Sequence, residues 1–402
     1  MLTHKERMLA AIRGQPTDQM PWAPRLDLWY NAQKRAGTLP SRYRKATLME
    51  ITDDLGWGFH AVVPDFRDLR DPEDDVHRGL GVWNLWMMPC RTVFEDVDCT
   101  VERDGDETRV EYRTPVGSIR TRVIHDESMR RAGITISHLS ERAIKSHEDY
   151  EAIGYIFEHA RVVPNFARYQ AFADQVGDRG LAVARLSGGG SPLHLMHHEL
   201  MSPILLFYET YDHPQELQRC ADRIGTYFER LLDLAVRSPA QVLFLGGNYE
   251  AAMTPPPFFR KHILPWLKRG AERSHGAGKF LVTHTDGENE GLLDLYLEAG
   301  VDIADSVCPK PMTRLSLKEV RDCFDGRITI MGGIPSVSLL TDSMSDMEFE
   351  VFLDEFFDAL DAGDHLILGV SDTTPPAARF DRLQKIYQRV QQFGPITPPV
   401  RR

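Results

Sequence analysis

The stretch LVTHTDGENEGLLDLYLEAGVDIADSV, residues 281–307, contains one complete repeat of an α/β protein. An apolar run breaks into the polar loop 284–287, a helical pattern follows and stops at Gly300, and a second apolar run begins at Val301. The order of strand, polar loop, helix, glycine and strand is typical of one βα unit. Because ligands bind at the carboxyl ends of strands in such folds, the loop at 284–287 is expected to belong to a binding site.

His284 and Asp286 are the two side chains in this loop that can perform chemistry. They lie two residues apart, so in extended chain they leave the same face and can reach one ion or one substrate atom. An imidazole with a carboxylate suits zinc, or proton transfer near neutral pH. The alternative is structural, with Asp286 as the N-cap of the following helix and His284 bonded to a neighbouring loop.

Further apolar runs along the chain also end in polar or glycine-rich loops. Those loops carry Arg25, Asp27, Trp29 and Tyr30; His60 and Asp65; the glycines 188–190; Tyr249 and Glu250; and Ser371 and Asp372. The units number about eight, which predicts a single (β/α)8 TIM barrel over residues 1–402. Residues 93–126 alternate with period two around turn signals, which predicts an inserted β-hairpin or meander. Glu250 is a third acidic candidate, and a solvated loop carboxylate is its alternative.

The composition excludes several classes of protein. A net charge of −12 argues against general nucleic-acid binding. No apolar run approaches the ~20 residues that span a bilayer, and the amino-terminal helix lacks the features of a signal peptide. Five cysteines without a CxxC pair indicate reduced thiols. We therefore expect a cytoplasmic protein that binds neither nucleic acid nor a membrane.

Several segments together resemble the uroporphyrinogen decarboxylase superfamily. They are KERMLAAIRGQPTDQMPW, FFRKHILPWLKRG, THTDGENEGLLDLYLEAGVDIADSV, ITIMGGI and ILGVSDTTPPAARFDRL. The resemblance implies a (β/α)8 barrel with its site at the carboxyl ends of the strands. The superfamily also contains zinc- and corrinoid-linked methyltransferases that act on methanol, methylamines, chloromethane or aryl methyl ethers.

This chain matches the decarboxylase branch at one of the two arginine positions in that branch's motif. Decarboxylases hold propionate groups with an arginine pair in a motif resembling MRQAGRY, and this chain reads PRLDLWY at residues 24–30. Arg25 matches the first arginine, but Trp29 stands at the second. Ser371 or Asp372 stands where decarboxylases have a histidine. Decarboxylation, in which Asp65, Arg25 and backbone would stabilise a protonated pyrrole, is therefore the second interpretation.

The methyltransferase branch, by resemblance, places zinc on a His-x-Cys motif and a later cysteine. His284 matches the first ligand, Asp286 replaces the second, and Ser371 or Asp372 replaces the third. Zinc accepts carboxylate oxygen, so a metal site of His284 and Asp286 with Glu250 or Asp372 is expected. Oxygen ligands make zinc a stronger Lewis acid than thiolates do, which favours polarising an ether or phenolic oxygen.

These observations favour a methyltransferase that demethylates a small O-methyl or N-methyl substrate and passes the methyl group to a corrinoid protein. Zinc is the expected cofactor, with a corrinoid carried by the partner, and a homodimer is one expected assembly. Retained ligand binding without catalysis is the third interpretation. The site residues expected beside His284 and Asp286 are Asp372, Glu250 and Asp65 for acid/base or metal-shell roles, and Arg25, Asp27, Tyr30, Trp29, His60 and Tyr249 for the substrate. Other aromatic residues at the strand ends, such as Trp22, Trp57, Phe59 and Phe66, with Met253, could line an apolar pocket.

Overall fold

A computed structural model of the protein describes residues 1–62 and 74–399, which form an α/β fold. Asp65 and Phe66 lie outside the described residues. The strands are β1 (Ala61–Val62), β2 (Cys90–Phe94), β3 (Asp98–Asp104), β4 (Glu107–Thr114), β5 (Gly117–Ile124), β6 (His138–Glu141), β7 (Ala160–Pro164), β8 (Ala182–Ser187), β9 (Val242–Leu245), β10 (Phe280–His284), β11 (Ile303–Val307), β12 (Thr329–Pro335) and β13 (Leu366–Ser371).

Helices separate the successive strands from β8 to β13. The helices are α1 (His4–Ile12), α2 (Asp27–Ala36), α3 (Leu48–Leu55), α4 (Asp75–Arg78), α5 (Glu127–Arg131), α6 (Tyr150–Glu158), α7 (Phe166–Val176), α8 (Pro192–Leu195), α9 (Pro203–Asp212), α10 (Pro214–Ala235), α11 (Pro256–Phe258), α12 (Leu264–Gly276), α13 (Leu293–Ala299), α14 (Leu317–Phe324), α15 (Asp346–Asp358) and α16 (Phe380–Phe393). Across the described ranges, none of the helices has both the length and the apolar composition of a membrane span.

The central sheet is parallel and has seven strands among the described residues. Their order is β1, β8, β9, β10, β11, β12 and β13, and each neighbouring pair runs in the same direction. Residues 20–24, which precede the loop that carries Arg25, make one parallel bridge, between Trp22 and Leu368 of β13. Pro21 and Pro24 flank Trp22 and have no amide hydrogen, which limits the pairing that this segment can make.

The period-two stretch forms antiparallel strands. β3, β4 and β5 pair in sequence, β6 completes this four-stranded sheet, and β2 pairs separately with β7. Along β4, Val110 and Tyr112 are buried on one face, as alternation requires. Gly105 in the turn after β3 has φ 57°, a conformation that favours glycine.

A compact apolar cluster lies inside the parallel sheet, and we call it the inner cluster. Helix α1 covers this cluster. The Thr329 hydroxyl, at the start of β12, donates to the Ala11 carbonyl of α1 (3.4 Å), so α1 lies at the amino ends of the strands. The carboxyl ends of the strands therefore lie on the opposite side and are free to carry a site. The members of the inner cluster are Met8, Leu9, Ala11, Ile12, Ala23, Val62, Leu181, Val183, Val242, Phe244, Val282, Ile303, Met331 and Ile367.

Truncating the inner cluster should destabilise the fold. Ile367→Ala on β13 removes a side chain with 0% exposure, and the cavity left behind should lower the free energy of unfolding by about 2–5 kcal/mol. Val351→Ala on α15, where the side chain is 52% exposed, is the control and should change it by less than ~0.5 kcal/mol. Denaturant unfolding measures both variants. Equal losses would mean that the inner cluster is not a close-packed core.

Candidate active site

Two titratable side chains stand on top of the inner cluster. His284 follows Val282 by two residues on β10, and Asp305 follows Ile303 by two residues on β11. Since side chains two apart on a strand share a face, both point inward, one layer nearer the carboxyl ends. His284 and Asp305 are also direct partners in the register of these two strands, so their side chains lie next to each other.

One nitrogen of the His284 ring is hydrogen-bonded to Asp305, and the other faces two further carboxylates. Its Nδ1 lies 2.9 Å from Asp305 Oδ2, and both side chains are buried. Its Nε2 lies 3.5 Å from Asp286 Oδ2 and 3.5 Å from Asp372 Oδ1. Ligand atoms of His284, Asp286 and Asp372 all lie within 4.8 Å of one another. The structure therefore brings together the predicted pair and one of the two further acidic candidates.

Asp286 does not cap the helix that follows it. Helix α13 begins at Leu293, its N-cap Leu292 makes no side-chain cap bond, and Asp286 instead faces His284. The Asp286 Oδ1 is buried and has no hydrogen-bond partner within the described part of the chain. The structural alternative from the sequence is therefore wrong for this residue.

Asp372 is held by an arginine from the other end of the chain. Arg25 Nη1 donates to Asp372 Oδ1 at 2.9 Å, and Arg25 Nε lies 3.5 Å from Asp27 Oδ1. We expected Arg25 to bind an acidic group of the substrate. The Arg25 guanidinium pairs with two of the protein's own carboxylates, those of Asp372 and Asp27.

The carboxylates set the charge of this group. Burial alone lowers the pKa of the His284 imidazole, but Asp286 and Asp372 outweigh burial and raise the pKa to about 10. Burial raises the pKa of both Asp286 and Asp305, but the His284 ring, together with other positive groups such as Arg25, lowers each pKa by more, so the net shift is downward. The arrangement stabilises positive charge at the His284 Nε2 position.

A cavity lies beside the group and takes in three of the expected substrate residues. Asp27, Tyr30 and His60 line it, and its volume of about 190 Å³ has room for a single-ring molecule. Burial lowers the pKa of His60, while the Asp305 carboxylate opposes that shift, so His60 connects the cavity electrostatically to the His284 group. The His60 Nδ1 is buried without a hydrogen-bond partner in the described ranges. The remaining lining residues are Pro24, Leu26, Asn31, Thr47, Leu48, Met49, Thr52, Phe59, Trp86 and Gln175.

Three expected site residues have structural positions instead. The Glu250 carboxylate accepts the amides of Glu288 (3.0 Å) and Ala252 (3.4 Å) and is not part of the ligand group, so it orders the loop. Tyr249 is fully buried and bonds Thr283. Trp29 is buried against Phe380 at a 5.5 Å ring separation.

The other candidates that the structure describes also lie outside the ligand group. Asp65 falls outside the described residues. Cys308 is buried and bonds the Ser306 carbonyl, and Ser371 bonds the backbone at Val307 and Gly333. Trp22 and Trp57 pack edge to face in the core, and Met253 is exposed.

Sequence reasoning missed Asp305 and Arg185. Asp305 lies in the apolar run 303–307, where an acidic residue in a buried strand was itself a signal. Arg185 follows Val183 of the inner cluster by two residues on β8, as His284 follows Val282. In both cases the alternation of an inward-facing strand could have identified the residue.

An ion pair lies close to Arg185. Arg78 Nη1 donates to Glu199 Oε2 at 2.6 Å, and both side chains are mostly buried. His198 Nδ1 lies 3.1 Å from the other oxygen of Glu199. Burial raises the pKa of Glu199, but Arg78 and His198 lower it by more and hold it well below its usual value.

A second group of metal-ligand type lies away from this site. His147, Glu209 and His213 place ligand atoms within 4.8 Å of one another, and the two imidazole rings stack at 3.9 Å. The Glu209 carboxylate also accepts the Tyr150 hydroxyl at 2.7 Å. His147 is exposed. Any metal analysis of the protein therefore has to separate this group from His284.

The family of the chain follows from its carboxyl-terminal half. Residues 179–393 match the family described as uroporphyrinogen decarboxylase (URO-D), which is just over half of the chain. The protein belongs to this family. The matched residues include β8 to α16, and so they contain His284, Asp286, Asp305 and Asp372.

One solved structure is similar over almost the whole length. It is a methyltransferase from Methanosarcina mazei, with 13% sequence identity, a TM-score of 0.52, and coverage of 98% of this chain and 99% of that chain. At this identity the likeness shows a shared fold. No curated protein sequence matches the chain.

Removing Arg78 should leave the buried Glu199 carboxylate without its cationic partner. Arg78→Met leaves Glu199 without its main partner and should lower the free energy of unfolding at neutral pH by about 3–5 kcal/mol. The loss should shrink as pH falls below the ordinary glutamate pKa of about 4.3, because protonated Glu199 needs no partner. Denaturant unfolding at several pH values measures this. The double variant Arg78→Met, Glu199→Gln is the control and should recover stability at neutral pH; an unchanged loss at acid pH would contradict the assignment.

Proposed function

We propose that this protein is a zinc-dependent methyltransferase that takes a methyl group from a small O-methyl or N-methyl compound and passes it to a corrinoid protein. The observation that carries the proposal is the convergence of His284, Asp286 and Asp372 at the carboxyl ends of the strands. Membership of the URO-D family and the fold shared with a methyltransferase support it. We further infer that the segment at Trp22 is the eighth position of a closed barrel, because Gly58 donates to the Trp22 carbonyl while Ala23 donates to Leu368.

The residues present fit zinc. One imidazole nitrogen and two carboxylate oxygens are ligand types that zinc accepts, and three protein ligands leave a position open for substrate. Asp286 Oδ1 is a buried oxygen that lacks a partner in the described ranges and would be satisfied by a cation. Asp305 engages His284 Nδ1 and leaves Nε2 for the metal, as a carboxylate does behind many metal-binding histidines.

Each residue has a distinct role in the proposed reaction. Zinc bound here would act as a Lewis acid on the oxygen or nitrogen that carries the methyl group. Arg25 keeps Asp372 oriented, and Asp305 keeps the His284 ring oriented. The methyl carbon would form its new bond to the acceptor, a Co(I) corrinoid that supplies the electron pair, while its old bond breaks with both electrons left on the heteroatom, which then takes up a proton. His60 lines the cavity and can carry that proton on its imidazole.

Zinc analysis tests the metal site. His284→Ala should reduce bound zinc by about one per chain relative to the wild type, because the substitution deletes a ligand. His213→Ala is the matched control and should leave the zinc of the His284 site in place. Elemental analysis after dialysis measures all three proteins. Equal zinc in His284→Ala and the wild type, or full activity of metal-free protein, would remove the mechanism.

Activity measurements separate methyl transfer from decarboxylation. With cob(I)alamin as acceptor and a panel of methyl ethers and methylamines, the wild type should form methylcobalamin, detected by absorbance, and His284→Ala should not. Uroporphyrinogen should yield no coproporphyrinogen, because Asp372 and Asp27 occupy Arg25. Coproporphyrinogen formation would replace the proposal with the decarboxylase interpretation. Ligand binding without turnover of any methyl donor would favour a non-catalytic barrel.

A further inference from the structure

Arg185 is a cation at the site without an ionic partner among the described residues. It lies on β8 with its guanidinium carbon 4.8 Å from the ring centre of Phe244 and 5.9 Å from that of Trp83. Its Nε is buried and makes no hydrogen bond in the described part of the chain. A guanidinium that is partly desolvated and unpaired is unfavourable, so the position calls for an anion that residues 1–62 and 74–399 do not supply.

The carboxylates around Arg185 already have closer partners. Glu199 is bonded by Arg78 at 2.6 Å, and Asp305 by His284 at 2.9 Å. Asp372 accepts from Arg25 at 2.9 Å. Arg185 is thus left without an ionic partner when the charges that the structure describes at this site are paired.

A second unsatisfied donor lies near the same point. The Trp83 Nε1–H is buried and has no partner within residues 1–62 and 74–399. Gly188, the first residue of the triple-glycine loop after β8, borders both groups. The nearest atoms to a Cβ at Gly188 would be Glu199 Oε1 at 3.5 Å, Trp83 Nε1 at 3.7 Å and Arg185 Nη2 at 3.8 Å. The absence of a Cβ leaves room beside two N–H donors, and the Glu199 carboxylate, which is paired with Arg78, borders the same room.

We propose that Arg185 and the Trp83 Nε1–H form a carboxylate-binding subsite beside Gly188, and that the methyl donor is therefore a monocarboxylate. This inference rests on the proposed methyl transfer for the identity of the ligand as substrate, but not for the existence of the subsite. Arginine matches a carboxylate with two parallel N–H donors. A monoanion is favoured because Arg185 is the cation left unpaired among the described residues of the site, while Glu199, Asp305 and Asp372 would repel further negative charge. The Trp83 ring, which is only partly buried, offers apolar surface to an aromatic body.

Benzoate and benzamide are probes that differ in the charge of the group at issue. The wild type should bind benzoate roughly tenfold or more tightly than benzamide, since a hydrogen bond to a charged group contributes that much. Arg185→Gln should abolish the preference, and Trp83→Phe should reduce it. Arg168→Gln, which removes an exposed arginine on α7, is the matched control and should keep it. Calorimetric titration measures all four proteins.

Two further measurements keep the inference falsifiable. Arg185→Gln should unfold at the same or a higher denaturant concentration than the wild type without ligand, because it removes an unpaired charge; a large loss of stability would indicate a structural role and overturn the inference. The titration is then repeated on chelator-treated wild type. A retained benzoate preference supports the subsite even if zinc binding fails, and a lost preference would show that the metal holds the carboxylate. Equal affinity for both probes in the wild type would also overturn the proposal.

Discussion

The hydrogen bond between His284 Nδ1 and Asp305 Oδ2 is the interaction on which the site depends. It joins two inward side chains that the register of β10 and β11 makes direct neighbours. Because Nδ1 is engaged, Nε2 is directed at Asp286 and Asp372, where a cation would be bound. A one-residue shift between these strands would turn one of the two side chains out of the interior, and His284 and Asp305 would no longer be in contact.

The site divides into two electrostatic halves. Around His284 Nε2, carboxylates converge and favour a cation. Across the mouth of the sheet, Arg185 lacks an ionic partner among the described residues and favours an anion. A substrate with a carboxylate at one end and a methylated heteroatom at the other would match both halves, and Phe244 lies between Arg185 and His284 with ring contacts to each. Arg25, by contrast, belongs to the half that favours a cation, because it donates a hydrogen bond to Asp372.

Local sequence patterns explain which site residues could be predicted from the sequence and which could not. His284 and Asp286 follow an apolar strand directly, so their position could be predicted from residues within one repeat. Glu250 occupies an equivalent place after β9, yet its carboxylate turns to the amides of its own loop and of Glu288. The sequence cannot distinguish these cases, because which way a loop carboxylate turns depends on the backbone amides that the fold brings beside it. Asp305 was missed since its neighbours are those of a buried strand.

The sequence by itself determined the alternation of strands and helices, the inserted antiparallel strands at residues 93–126 and the loops that carry polar groups. These follow from local periodicity and from glycine and proline, which act over a few residues. The tertiary structure decided which groups meet. Arg25 bonds Asp372 across 347 residues of chain, and His284 meets Asp305 only because β10 and β11 pair in one register. Such contacts depend on long-range packing and strand register, which no local pattern encodes.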